Sequence, residues 1–233
     1  MNRLPCNHCP LAGRCLYNKN SQAFKLLRRL EKMLDKTEES AQVLLTSFMR
    51  HLNFLKEEKF ISANDELTED GKWAAKLRLD QPLIIAAGIR AHAWPEDDPA
   101  LLAALIAPFV MDNERPSEPL ATLRTLPPEF ASAWLRLEKA VDPLVRRQRE
   151  KGFEVPTLNM RAALAIYTWA TRDDWNEAVR IYGKDEGDLA MLTFRTADNL
   201  RQLASLYETH PALAVSARRA RDLILREPVT VPL

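Results

Sequence analysis

Fifteen prolines and only six glycines punctuate this chain. Proline lacks a backbone N–H and its ring clashes with the carbonyl one turn back, so it breaks a helix interior but is tolerated in a first turn. "QPLIIAAGIRAHAW" and "DPALLAALIAPFV" carry Pro82 and Pro99 at that place. Scarce Gly beside abundant Ala, Leu, Arg and Glu favours helix after helix from Gln81 onward. The expected fold class is mainly α, a helical bundle.

Upstream of Gln81 the pattern is mixed. Residues 1–20 read as an irregular Cys-containing arm. Ser21 is a plausible N-cap for an amphipathic helix over 21–35, with Phe24, Leu27, Leu30 and Leu34 on one face. A second helix is expected over 38–57, with Val43, Leu44, Phe48, Leu52 and Leu55 inward. Phe60-Ile61 and Glu66-Leu67 flank the turn signal "ANDE", as in a small β-hairpin. Thr68 then caps a short helix with Asp70 in its first turn.

Downstream, 112–126 reads as a loop. "PPEFASAWLRLEKAVDPLVRRQREKG" reads as a long helix, bent at Pro143 and stopped by Gly152. "TLNMRAALAIYTWATRD" and "DDWNEAVRIYG" follow as a long and a short helix, and "HPALAVSARRARDLILRE" closes the bundle. The helix between them, about 186–208, has two characters. Leu189, Leu192, Leu200 and Leu203 form an apolar stripe, whereas Arg195, Asp198, Asn199 and Gln202 form a polar one, with Met191 and Phe194 nearby. The expected domains are the Cys arm (1–20), a segment over 21–79 and the bundle over 80–233.

With 233 residues and 46% hydrophobic content, a sizeable core can form. The net charge of +1 means that any nucleic-acid contact comes from a local patch, not from a global basic field. "MNRLPCNHCPLAG" has no apolar core of a secretory signal, and "LLAALIAPFVM" at 101–111 is too short to span a bilayer. All three cysteines fall in the first 15 residues, which argues against a disulfide framework. A reducing, cytoplasmic location is expected.

Few residues suggest chemistry. The glycines never form a phosphate-cradling loop, and neither G-x-S-x-G nor H-E-x-x-H occurs. Asp97-Asp98 and Asp173-Asp174 precede helix starts, where capping explains them. His51, His92 and His210 have no partners at ligand or triad spacing. Cys6 and Cys9 have the C-x-x-C spacing that lets two thiolates grip zinc, and Cys15 follows; a fourth ligand would come from elsewhere, and a reduced thiol cluster is the alternative. The basic runs at 145–151 and 217–222 suit solvated helix faces or phosphate contact.

Two stretches carry a resemblance. "DELTEDGKWAAKLRLDQPLIIAAGIRAHAWPEDDPALLAALIAPFV" resembles the start of the C-terminal (DSHCT) domain of Ski2-like, Mtr4-type superfamily 2 DEAD/DEAH-box RNA helicases, through Leu67, Thr68, Gly71, Lys72 and Ala74. "IYTWATRDDWNEAVRIYGKDEGDLAMLTFRTADNLRQLASL" continues it through Tyr167, Trp169, Ala170, Glu186, Gly187, Leu200, Arg201 and Gln202. The resemblance spans about residues 40–233, and "DLILREPVTVPL" looks like the family's C-terminal end. "LLTSFMRHLNFLKEEKFIS" resembles the second part of the winged-helix unit preceding the bundle, so a partial winged-helix-like segment is expected there.

The resemblance implies that the helix near 186–208 is the ratchet helix, whose polar side meets single-stranded RNA as it leaves the RecA-like motor domains. Its RNA-facing pair falls on Arg195 and Asp198; Asn199 and Gln202 complete the implied nucleic-acid-binding stripe. Met191 stands where many members carry another Arg. With no Walker motif and no Asp-Glu-x-His box, ATP and magnesium would belong to motor domains outside this chain. The chain then reads as a non-catalytic accessory module guiding RNA, or DNA, past those motors. The alternatives are a helical protein-interaction scaffold and a metal- or redox-responsive winged-helix regulator.

Overall fold

The computed structural model describes residues 10–11, 22–110, 126–155 and 157–229. Two compact units divide the chain, Met1–Thr68 and Glu69–Leu233. Both are helical; among the described residues the only β pairing is one isolated antiparallel bridge, Ile61 with Leu67. No helix of the described residues is long and apolar enough to cross a membrane.

The first unit departs from the sequence expectation. Instead of two helices there is one, α1 (Gln22–Glu57). The expected break, at Lys36-Thr37, contains neither Gly nor Pro, and nor do the next three residues. The hydroxyls of this stretch also bond within the helix: Thr37 Oγ1 donates to the Met33 carbonyl at 2.8 Å and Ser40 Oγ to the Lys36 carbonyl at 2.7 Å. Val43, Leu44 and Phe48 are not inward but 67%, 70% and 61% exposed. Periodicity marks a face suited to burial; it does not supply the surface that buries it.

The expected hairpin contracts to a tight turn. Ser62 N–H bonds the Glu66 carbonyl at 2.8 Å and Thr68 N–H bonds that of Phe60 at 3.1 Å, with Asp65 in the left-handed region. Each arm offers only two residues to pair, and beyond them the Thr68 hydroxyl donates to the carbonyls of Lys59 and Phe60. A winged helix needs a helical cluster and a two-stranded wing, so the winged-helix-like reading finds no support in one long helix and a single bridge. The Cys arm, with Cys6, Cys9 and Cys15, lies outside the described residues.

The second unit contains α2 (Glu69–Ala74), α3 (Pro82–Arg90), α4 (Pro99–Ile106), a 3₁₀ turn (Ala107–Val110), α5 (Pro128–Glu150), α6 (Met160–Arg172), α7 (Trp175–Tyr182), α8 (Glu186–Ala204) and α9 (Pro211–Ile224). Four of these helices begin on proline, as its chemistry favours. Both acidic pairs act as caps: Asp98 accepts from Leu101 N–H at 3.0 Å and Asp174 from Glu177 N–H at 2.8 Å. Pro108 cannot donate to the carbonyl of Ala104, and there α4 tightens into the 3₁₀ turn. Pro143 is carried inside α5 without ending it. The stop comes at Gly152 (φ 73°), where Gly152 N–H bonds Arg149 O and Phe153 N–H bonds Gln148 O, a Schellman motif.

α4 is the hub of this unit. Ala100 to Ile106 are all buried, and α5, α6, α8 and α9 pack around the helix. α3 closes on α5, and its Gly88 lies under the Trp94 ring. That ring is fixed: its Nε1 donates to Ile85 O at 3.0 Å and its edge meets Phe109 at 5.8 Å. A Cβ on Gly88 would fall 2.6 Å from Trp94 Nε1. Gly88→Ala is therefore expected to destabilise the protein by about 1–3 kcal/mol, the usual cost of overpacking. Gly187→Ala, whose Cβ would meet nothing within 4 Å, should leave the melting temperature unchanged or raise it. Equal melting temperatures for the Gly88 variant and the parent would refute the close contact.

α5 and α6 are joined by a bond from Tyr167 Oη to Glu129 Oε1 of 2.9 Å. Burial of the phenol, then the bond to Glu129 and the nearby negative charges, push the Tyr167 pKa up to about 12. The folded value exceeds the unfolded one, near 10, so this stability is complete below pH 10 and is lost as pH rises towards 12. The melting temperature should fall more steeply across that window in the parent than in Tyr167→Phe. Parallel declines would show that the phenol does not titrate differently in the two states.

Candidate nucleic-acid interface

α8 owes its position to its apolar side. Leu189, Leu192, Leu200 and Leu203 are all buried, and this side faces α4, α9 and the 3₁₀ turn. Thr193 and Thr196 are buried with them, their hydroxyls donating to the carbonyls of Leu189 at 2.8 Å and Leu192 at 2.7 Å. Satisfying these groups within the helix removes the penalty of burying them. At the N-terminal end, Trp175 Nε1 of α7 donates to Glu186 Oε1 at 2.8 Å. A helix held this way presents its remaining side chains in a fixed rotational setting.

The polar stripe is not uniform. Arg195 is partly exposed, and its Nη2 lies 3.6 Å from Asp80 Oδ2. Asp198 is exposed and accepts from Arg201 Nε at 3.0 Å and Nη2 at 2.6 Å, one turn along. Gln202 is half-buried, and Met191 is exposed. Asn199 is only 5% exposed, with a buried Nδ2 that has no hydrogen-bond partner. Its spacing explains this: 192, 196, 199 and 203 follow the 4-3-4 rhythm of one helix face, so Asn199 belongs to the buried stripe. Arg195, Asp198 and Gln202 remain accessible to a ligand.

Neither Asp80 nor Arg201 was assigned to the site from the sequence, although Arg201 carries part of the family resemblance. Arg201 could have been, as an (i, i+3) partner of Asp198. Asp80 gives no local signal, because its partner is remote in the chain. It belongs to a strap formed by α2 and the residues up to α3. Trp73 packs edge-on against His210 at 4.9 Å, Lys76 Nζ meets Glu208 Oε2 at 3.2 Å, and Asp80 meets Arg195. As the strap runs 73 to 80, its partners run 210 to 195, so it lies antiparallel to the second half of α8 and the turn after it. Asp70 fixes the strap's start, accepting from Trp73 Nε1 at 3.0 Å and from Arg90 Nε at 2.7 Å. Burial lowers the His210 pKa, opposed by Asp70 and Glu96, and so favours the neutral ring against Trp73.

The other sequence candidates are dispersed. His51 Nδ1 lies 2.7 Å from the Ser47 carbonyl, within α1. Among the described residues no group of three or more His, Cys, Asp or Glu is placed to hold a metal ion. In the basic runs, Arg146 pairs with Asp142 at 2.8 Å and Arg221 with Asp222 at 2.7 Å.

Comparison with known proteins bears on this geometry. The model of the DSHCT (NUC185) domain matches residues 64–231, a span that includes the strap and every helix of the second unit. A chloroplastic DExH-box ATP-dependent RNA helicase of Arabidopsis thaliana is 28% identical over 229 residues. That alignment covers 92% of this chain and 19% of the relative, so the chain spans about a fifth of the relative's length. With most of its length inside the family model, and with the resemblance to the C-terminal region of Ski2-like helicases pointing the same way, the chain belongs to the DSHCT (NUC185) domain family.

Proposed function

We propose that this chain serves as a non-catalytic accessory module of an ATP-dependent, Ski2-like DExH-box RNA helicase, guiding single-stranded RNA along α8 as the strand leaves the motor domains. ATP hydrolysis belongs to those motor domains. The observation that carries the reading is Arg195: a partly exposed guanidinium on a helix whose opposite side is locked into the bundle. A planar guanidinium binds phosphate through paired N–H bonds or stacks on a base. Gln202, two turns along, offers donor and acceptor groups to a base or ribose hydroxyl. Asp198 acts indirectly by orienting Arg201, and Asn199, being buried, takes no part in the contact.

A second reading, a scaffold that docks a protein partner such as the motor domains, rests on a different observation. α1 exposes Val43, Leu44 and Phe48 with other large apolar side chains of the same helix. Contiguous apolar surface of that kind marks an interaction site.

The test is fluorescence anisotropy of a labelled single-stranded RNA at low and high salt. The parent should bind with a salt-sensitive affinity. Arg195→Ala should weaken binding severalfold while its melting temperature falls by no more than about 4 °C, because a surface ion pair contributes about 0–1 kcal/mol. Unchanged affinity in the variant, or equal losses of binding and stability, would sink the assignment of Arg195.

A further inference from the structure

The two arginines of the α8 surface each meet a carboxylate, but in different ways. Asp198 holds Arg201 within one helix turn at 2.6 and 3.0 Å, the lengths of charge-assisted hydrogen bonds. Asp80 approaches Arg195 from another element at 3.6 Å, longer than such a bond, with the two side chains 54% and 38% exposed. The first pair stiffens the helix. The second is a loose contact at a surface that water and ligands reach.

Asp80 does not need this contact to stay in place. The strap is fixed upstream by Trp73 on His210, by Lys76 with Glu208, and by Asp70 with Trp73 and Arg90. Downstream it enters α3 at Pro82. The backbone of Asp80 is thus held near Arg195 whether or not the pair forms. An oxyanion arriving at Arg195 Nη2 meets the Asp80 carboxylate.

We infer that Asp80 is a specificity-determining residue of the α8 surface: its carboxylate competes with a phosphodiester for the Nη2 end of the Arg195 guanidinium. This rests on the RNA-guiding reading for its physiological ligand, although the competition itself concerns any phosphate anion. Displacing the carboxylate subtracts from each phosphate contact and adds a like charge beside it. The strand is then held weakly enough to pass, and Asp80 re-forms the pair as each phosphate leaves. A base stacked on the guanidinium face is not opposed in this way. Asp80 therefore shifts recognition from backbone charge towards stacking.

The experiment uses the full chain in four further forms: Asp80→Asn, Arg195→Ala, the double variant, and Glu69→Gln, whose carboxylate pairs only locally with Lys72. The last makes the same charge change at the other end of the strap. RNA anisotropy is read at low salt, and the Arg195 Nε–Hε NMR resonance is followed during titration with pyrophosphate. Asp80→Asn should tighten RNA binding about two- to fivefold, the range of a surface ion pair. The gain should vanish in the double variant, and Glu69→Gln should leave affinity within about 1.5-fold of the parent. Pyrophosphate should shift the Arg195 resonance at lower concentration in Asp80→Asn than in the parent.

Equal tightening by Asp80→Asn and Glu69→Gln, or tightening that survives loss of Arg195, would overturn the inference and leave RNA binding standing. If no form binds RNA but pyrophosphate reaches Arg195 more readily in Asp80→Asn, the competition stands and the RNA reading falls. If Asp80→Asn changes neither readout, Asp80 does not compete.

Discussion

The second unit depends on the burial of one short helix. From Ala100 to Ile106, every side chain of α4 is out of solvent. A helix apolar all round is stable only when enclosed, and α5, α6, α8 and α9 supply the enclosure. Small residues make this feasible. Ala100, Ala103 and Ala104 on α4, Ala162, Ala163 and Ala165 on α6, and Ala214, Ala217 and Ala220 on α9 are all buried. Such side chains allow the helix axes to approach towards the lower end of the usual spacing, about 8 Å. The larger Leu102, Leu105 and Ile106 fill what remains, each contributing about 1.5–3 kcal/mol by burial.

That enclosure fixes α8. Its leucine stripe is consumed by the core, so the rotation of the helix is not free and neither is the direction of Arg195. Further contacts tie the junction of α6 and α7 to the segment after α9. Trp169 of α6 donates from Nε1 to the carbonyl of Ile224 at the end of α9, and the Arg226 guanidinium lies 4.3 Å over its ring. Arg226 also pairs with Asp173 at 2.9 Å, just where α6 ends in the left-handed conformation. Cation, ring and carboxylate thus fasten the start of α7 to the segment after α9, and α8 lies between these two helices in the chain.

Much of this unit could be read from local chemistry. The proline starts, the Asp98 and Asp174 caps and the Gly152 stop are decided by a few neighbouring residues, and the helices follow. The leucine stripe of α8 was equally plain. Asn199 was misplaced because residue type outweighed spacing: an amide looks external, yet 199 keeps the register of Leu192 and Leu203. α1 was misread for a related reason. Thr37 and Ser40 resemble a helix break, but their hydroxyls bonded back into the helix instead. Its apolar face was assigned to the interior because sequence periodicity reports suitability for burial and says nothing about what is available to cover it.

Asp80 shows the opposite limit. No periodicity, cap or spacing points to it, since its relation to Arg195 exists only after the strap has been laid along α8. What fixes that strap is spread over Asp70, Trp73, Lys76 and their partners. The electrostatics of the interface are therefore a property of tertiary structure. A basic residue on an exposed helix face suggests an attractive surface, but here each arginine of that face has a carboxylate within 4 Å. Near-neutral surfaces bind polyanions less tightly and release them more readily than basic ones. On the proposed RNA-guiding role, weak and reversible contact is the useful property, and the placement of Asp80 would supply it without altering the helix that bears Arg195.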